Sequence, residues 1–101
     1  MIDLERLAAH ALSLAGVRER TSAGRRGWYV GGRVVARQED DEFVMVRSDF
    51  DERERLLVAH PATFSVPPHM ESHMKVLVDL GRGDERAALA AITAAWELQR
   101  R

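Results

Sequence analysis

The stretch Trp28-Tyr29-Val30-Gly31-Gly32-Arg33-Val34-Val35-Ala36-Arg37 carries the strongest structural signal in the chain. Two β-prone runs are separated by two glycines. A type I′ turn needs positive φ at both central residues, which glycine adopts at no steric cost, so the stretch predicts a tight antiparallel hairpin. On its N-terminal side, Val17 to Thr21 is a strand carrying Arg18 and Arg20. On its C-terminal side, Phe43 to Arg47 is another, reached through the acidic turn Glu39-Asp40-Asp41-Glu42. Further on, Met74, Val76, Val78 and Leu80 alternate with Lys75, Leu77 and Asp79, the period of a half-buried strand. Thr63 to Val66 is a short strand closed by Pro67-Pro68.

Three helices frame these strands. Leu4, Leu7, Ala8, Ala11 and Leu14 recur at helical spacing, with Asp3 at the start and Gly16 as a stop. Asp49 and Glu52, three apart, resemble a capping box and open a second helix that Pro61 ends. Asp84 caps a third, with Ala88, Leu89, Ile92, Ala95 and Trp96 on one stripe and Trp96 expected in the core. Short links between β runs favour antiparallel pairing. The expected architecture is therefore α+β, two layers, an antiparallel sheet with helices on one face.

At 101 residues the chain is one domain, residues 1–101. Fifteen Lys plus Arg against sixteen Asp plus Glu give a net charge of −1, which excludes a globally basic nucleic-acid protein but leaves room for a local patch. The absence of cysteine removes disulfides, thiolate metal sites and cysteine nucleophiles. No apolar run reaches the roughly 18 residues of a membrane span, and Met1 to Leu14 lacks the apolar core of a signal peptide. A cytoplasmic protein without membrane contact is expected.

Alternation sorts the strand residues by face. With Met74, Val76 and Val78 turned to the helices, Lys75 and Leu77 face outward. The same parity puts Val34 and Ala36 inward and Arg33, Val35 and Arg37 outward. Arg47 shares a face with Met45, and Arg18 with Arg20. Arginines on adjacent strands make a basic face able to bond phosphate. Gly24-Arg25-Arg26-Gly27 reads as a mobile basic loop beside Trp28, which belongs in the core. The expected contact residues are Arg25, Arg26, Arg33, Arg37 and Arg47. The plain alternative is an ordinary solvated sheet face.

Catalytic and metal patterns are weak. His69 and His73 flank Glu71, but Pro67-Pro68 opposes a helix there and no third ligand is evident, so no metal is expected. The acidic run lacks the spaced oxygen ligands of a calcium loop. Gly81-Arg82-Gly83 is no dinucleotide fingerprint, and no P-loop, nucleophile elbow or carboxylate pair occurs. No cofactor and no enzymatic activity are expected.

Several segments together resemble the MmcQ/YjbR family of small bacterial proteins. They are ALSLAGVRE at Ala11–Glu19, GWYVGGRVVA at Gly27–Ala36, DERERLLVAHPATF at Asp51–Phe64, His69, VLVDL at Val76–Leu80 and the closing AAW at Ala94–Trp96. Met70 stands where family members often carry an aromatic, and Arg47 where lysine is frequent. The resemblance implies a fold like type III secretion chaperones, in the order α-β(3)-α-β(2)-α. It also implies DNA binding, and it supplies no catalytic or ligand residues. Two functions follow as expectations. The first is weak, sequence-tolerant binding of DNA or other nucleic acid by the basic face and loops. The second is a protein-interaction or chaperone-like module, monomer or weak homodimer, using a sheet edge or the outward apolar residues Val35, Met45 and Leu77.

Overall fold

The computed structural model describes residues 1–101. Helix α1 (Leu4–Ser13) leads into strands β1 (Val17–Ser22), β2 (Arg25–Val30), β3 (Arg33–Gln38) and β4 (Phe43–Arg47). Helix α2 (Phe50–Ala59), strand β5 (Phe64–Ser65), a 3-10 turn at Pro68–Met70, strand β6 (Lys75–Asp79) and helix α3 (Glu85–Gln99) follow. The six strands form one antiparallel sheet in the order β1-β2-β3-β4-β6-β5. The α+β class is as expected. The strand count before α2 is four rather than the three of the implied order, because Val17–Ser22 pairs along its whole length with β2.

Local chemistry starts and stops these elements. Asp3, Asp49 and Asp84 each cap a helix. Their carboxylates accept from the backbone N–H of Glu5 (2.8 Å), Glu52 (2.8 Å) and Ala87 (2.9 Å), satisfying donors that the helix leaves unpaired. Gly31 and Gly32 sit at φ +57° and +80° and close the β2–β3 hairpin, as predicted. A second two-residue hairpin, Ala23-Gly24 at φ +53° and +76°, joins β1 to β2. The expected loop at Gly24–Gly27 is thus strand from Arg25 onward.

Trp28, fully buried, is the largest side chain of the core. The same continuous core takes in Leu7 of α1, Val44 and Val46 of β4, Val76 and Val78 of β6, Phe64 of β5 and Ile92 of α3. Ala88, Ala91 and Ala95 keep α3 slim enough to lie on β3 and β4. His10 Nε2 and Thr93 Oγ1, 2.8 Å apart, tie α1 to α3. Trp96 departs from expectation. It is half-buried, its indole N–H donates to the Ala15 carbonyl (2.8 Å), and the Arg100 guanidinium covers its ring at 3.9 Å.

The alternation counted from the sequence fails in β3. Trp28 pairs with Ala36 and Tyr29 with Val34, so Val35 is an extra residue at a β-bulge. Val35 and Ala36 are both fully buried in the main core, whereas Val34 lies against the outer-face cluster. The expectation that Val34 points in and Val35 out is therefore reversed.

Helix α2 packs against β5 and β6 and sends Leu56 into the main core. Its buried Arg53 turns elsewhere. The guanidinium donates to the carbonyls of Glu71 (2.9 Å) and His73 (2.8 Å), pinning the segment after the 3-10 turn. The turn just before it places Met70 on the outer face, where it buries Met45 and Leu77. These two residues do face away from the main core, but neither is exposed.

Candidate nucleic-acid interface

The outer sheet face divides into a covered and an open half. One row of paired residues crosses all six strands: Arg20, Gly27, Arg37, Met45, Leu77 and Ser65. Met70 closes the Met45–Leu77 part. The part on β1, β2 and β3 has no helix over it. A neighbouring row places Arg18 beside Tyr29 and Tyr29 beside Val34. Arg25 lies on the same face of β2 as Gly27 and Tyr29, two and four residues on. The open half thus presents Arg18, Arg20, Arg25 and Arg37 around Tyr29, and no Asp or Glu occupies an outward position of these three strands. Acidic residues gather past the strand ends, at Glu39–Glu42, where Asp41 and Glu42 line a groove of about 670 Å³ with Asp79 and Arg82.

Tyr29 occupies an unusual seat. A side-chain carbon at Gly27 would stand 2.8 Å from both Cε2 and Oη of Tyr29, so the end of the ring fills the space that the glycine leaves open. The Arg20 guanidinium lies over the ring, 4.2 Å from its centroid. The sequence held a signal for this residue. Trp28 and Tyr29 are consecutive in a strand, so a buried Trp28 obliges Tyr29 to face outward.

Of the five arginines expected as contacts, the structure brings Arg25 and Arg37 to the open half and sends the others elsewhere. Arg26 is on the helix side. Its guanidinium bonds both carboxylate oxygens of Glu19 (3.0 and 3.1 Å) and reaches Glu5 of α1. Glu19 also accepts from the Trp28 indole N–H (2.9 Å). Hydrogen bonding to Glu19, then to Glu5, pushes the Arg26 guanidinium above its ordinary range, despite some desolvation. The Arg26 hydrogen bond, aided by Trp28, holds the Glu19 carboxyl below its usual value against an opposing effect of burial. A cation held in this way is a structural tie and not a free phosphate contact. Arg33, past the bulge, pairs with Val30 and also lies on the helix side, where it donates to the carbonyl of Arg101 (3.2 Å). Arg47 is on the outer face but half-buried beside Lys75.

No three His, Cys, Asp or Glu side chains gather as a metal site. His69 lies in the 3-10 turn and His73 beyond it, so they do not share a helical face. No helix is long and apolar enough to cross a membrane.

Neither a family model nor a curated protein matches this sequence. Among solved structures, the fold is similar to that of the Deinococcus radiodurans protein DR2400, described as a domain of the DUF419 family model. The TM-score is 0.79 at 18% identity, over 97% of this chain and 78% of that one. DUF419 is the MmcQ/YjbR-like fold family. The likeness agrees with the fold that the resemblance implied.

Proposed function

We propose that this chain is a non-enzymatic, MmcQ/YjbR-like cytoplasmic protein that binds nucleic acid weakly and without sequence preference through the open half of its sheet. The observation that carries this reading is the convergence of Arg18, Arg20, Arg25 and Arg37 on the open half of the face, whose three strands have no outward carboxylate. Arginine bonds phosphate bidentately, and a local positive field attracts a polyanion even on a chain of net charge −1. Base-reading selectivity is not expected. The helices that could enter a groove are used otherwise: α3 packs on the sheet, and α2 is acidic in its first turn.

The reading as a protein-interaction or chaperone-like module loses the residues named for it. Val35 is in the core, and Met45 and Leu77 are beneath Met70. What remains for it is the two sheet edges: β5 has only two residues to offer, and charged residues such as Arg18 and Arg20 discourage strand addition at β1.

The test is a salt series with unrelated duplexes and single strands. The double change Arg25→Ala with Arg37→Ala should weaken binding to every sequence and reduce the slope of log K against log salt by about 2, roughly one per phosphate contact. Arg33→Ala should leave the slope unaltered. No binding of the unmodified protein to any nucleic acid at about 50 mM salt, where phosphate contacts are only partly screened, would overturn the proposal.

A further inference from the structure

Tyr29 leans over a glycine on its own strand. Glycine inside a strand weakens it, and such a glycine often marks a place where something approaches the sheet closely. Here Gly27 makes room for a tyrosine ring on the face away from the core, with Arg20 over it at 4.2 Å. Arg37 flanks Gly27 on the other side, and Arg18 is the strand partner of Tyr29. An aromatic ring surrounded by guanidinium groups suits a nucleobase with its phosphates. Arg20 and Arg37 stem from backbone positions two strand spacings apart, about 10 Å, with Gly27 between them.

Building on the nucleic-acid reading, we propose that the Tyr29 ring, seated over Gly27 among Arg18, Arg20 and Arg37, is a stacking platform for an unpaired base, so that the ligand is single-stranded nucleic acid. A base that takes the ring face releases Arg20 to pair with phosphate. Duplex cannot use the platform, because its bases are stacked on each other and only its backbone reaches a flat sheet. Every base has a π-face, so the platform is indifferent to sequence.

The test uses three probes of about 12 nucleotides, within the usual span of a single-strand site. They are oligothymidylate, the same backbone with abasic sugars, and a duplex. The unmodified protein should bind oligothymidylate more tightly than either other probe. Tyr29→Leu removes the ring but no charge. It should weaken oligothymidylate binding about 5- to 150-fold, the range for loss of one base–aromatic stack. The same change leaves every charge in place, so it should not weaken abasic binding, and Tyr29→Phe should bind like the unmodified protein. Equal binding of all three probes, or unaltered affinity in a folded Tyr29→Leu, would overturn the platform while leaving the polyanion reading intact. Silence with all three would overturn both. Should Tyr29→Leu fail to fold, the unmodified protein's preference for bases over abasic sugars decides.

Discussion

Arg33 and Arg37, four residues apart on one strand, stand on opposite faces of the sheet. Arg37 shares a row with Gly27 and Met45 on the outer face, while Arg33 pairs with Val30 and reaches the Arg101 carbonyl on the helix side. Regular alternation would put both on one face. The extra residue Val35 separates them, and so decides which arginines can act together.

The bulge makes the parity of β3 measurable. Val35→Thr should cost about 1–3 kcal/mol, because it places a hydroxyl in a fully buried apolar site. Val34→Thr, on the half-buried outer side, should stay within about 0.5 kcal/mol. Urea midpoints of the two variants check this, and the reverse order would return β3 to simple alternation.

Glu19 should make stability depend on pH in the acid range. Its carboxyl titrates below the ordinary 4.5, so the unfolded chain takes up the proton first as pH falls. The contribution is fully present above about pH 4.5 and is lost as pH falls through the lower folded value. Glu19→Gln should cost roughly 1–3 kcal/mol at neutral pH, through loss of charge-assisted hydrogen bonds to Arg26 and Trp28. The variant should also show a flatter decline in acid. Thermal or urea unfolding between about pH 2 and 7 gives both readings.

Ala23 is a non-glycine residue at φ +53° in the β1–β2 turn. Asparagine tolerates the left-handed region better, and Asn-Gly is the favoured type I′ pair. Ala23→Asn should therefore stabilise the protein by about 0.5–1 kcal/mol, part of the strain that such a residue stores. A raised melting temperature with unchanged nucleic-acid affinity is the expected result.

Arg53 should control access to the covered half of the face. Arg53→Met removes the donors to the Glu71 and His73 carbonyls, at a cost of roughly 1.5–3 kcal/mol. Amide exchange around residues 70–75 should quicken, and Met45 and Leu77 should bind a hydrophobic dye. Unchanged exchange there would show that Met70 alone holds the segment down.

What the sequence made legible was local. The Gly31-Gly32 turn and the Asp49 and Asp84 caps depend on residues a few positions apart, and the structure places them as read. The face assignments were not local. They assume an unbroken register, and Val35 breaks it without any glycine or proline in β3 to announce the bulge. The fate of Arg26 depends on Glu5 and Glu19 from two other elements, and the cover on Met45 depends on Arg53 of α2. Trp96 followed the helical stripe, but the stripe does not say that the ring ends at the rim beneath Arg100.

The strand order also sets a timetable. Strands β1 to β4 follow one another as neighbours, through two tight hairpins and one short acidic turn, so their pairing needs little loop closure. The β4–β6 seam is different, since Val44 must find Val78 across α2 and β5. Such distant partners meet late and slow the overall reaction. Until they meet, β4 is an exposed edge with the apolar run Val44-Met45-Val46, and a second nascent chain can compete for it. The moment of greatest aggregation risk therefore falls before β6 arrives, and rapid dilution at low protein concentration is the condition under which refolding should be most complete.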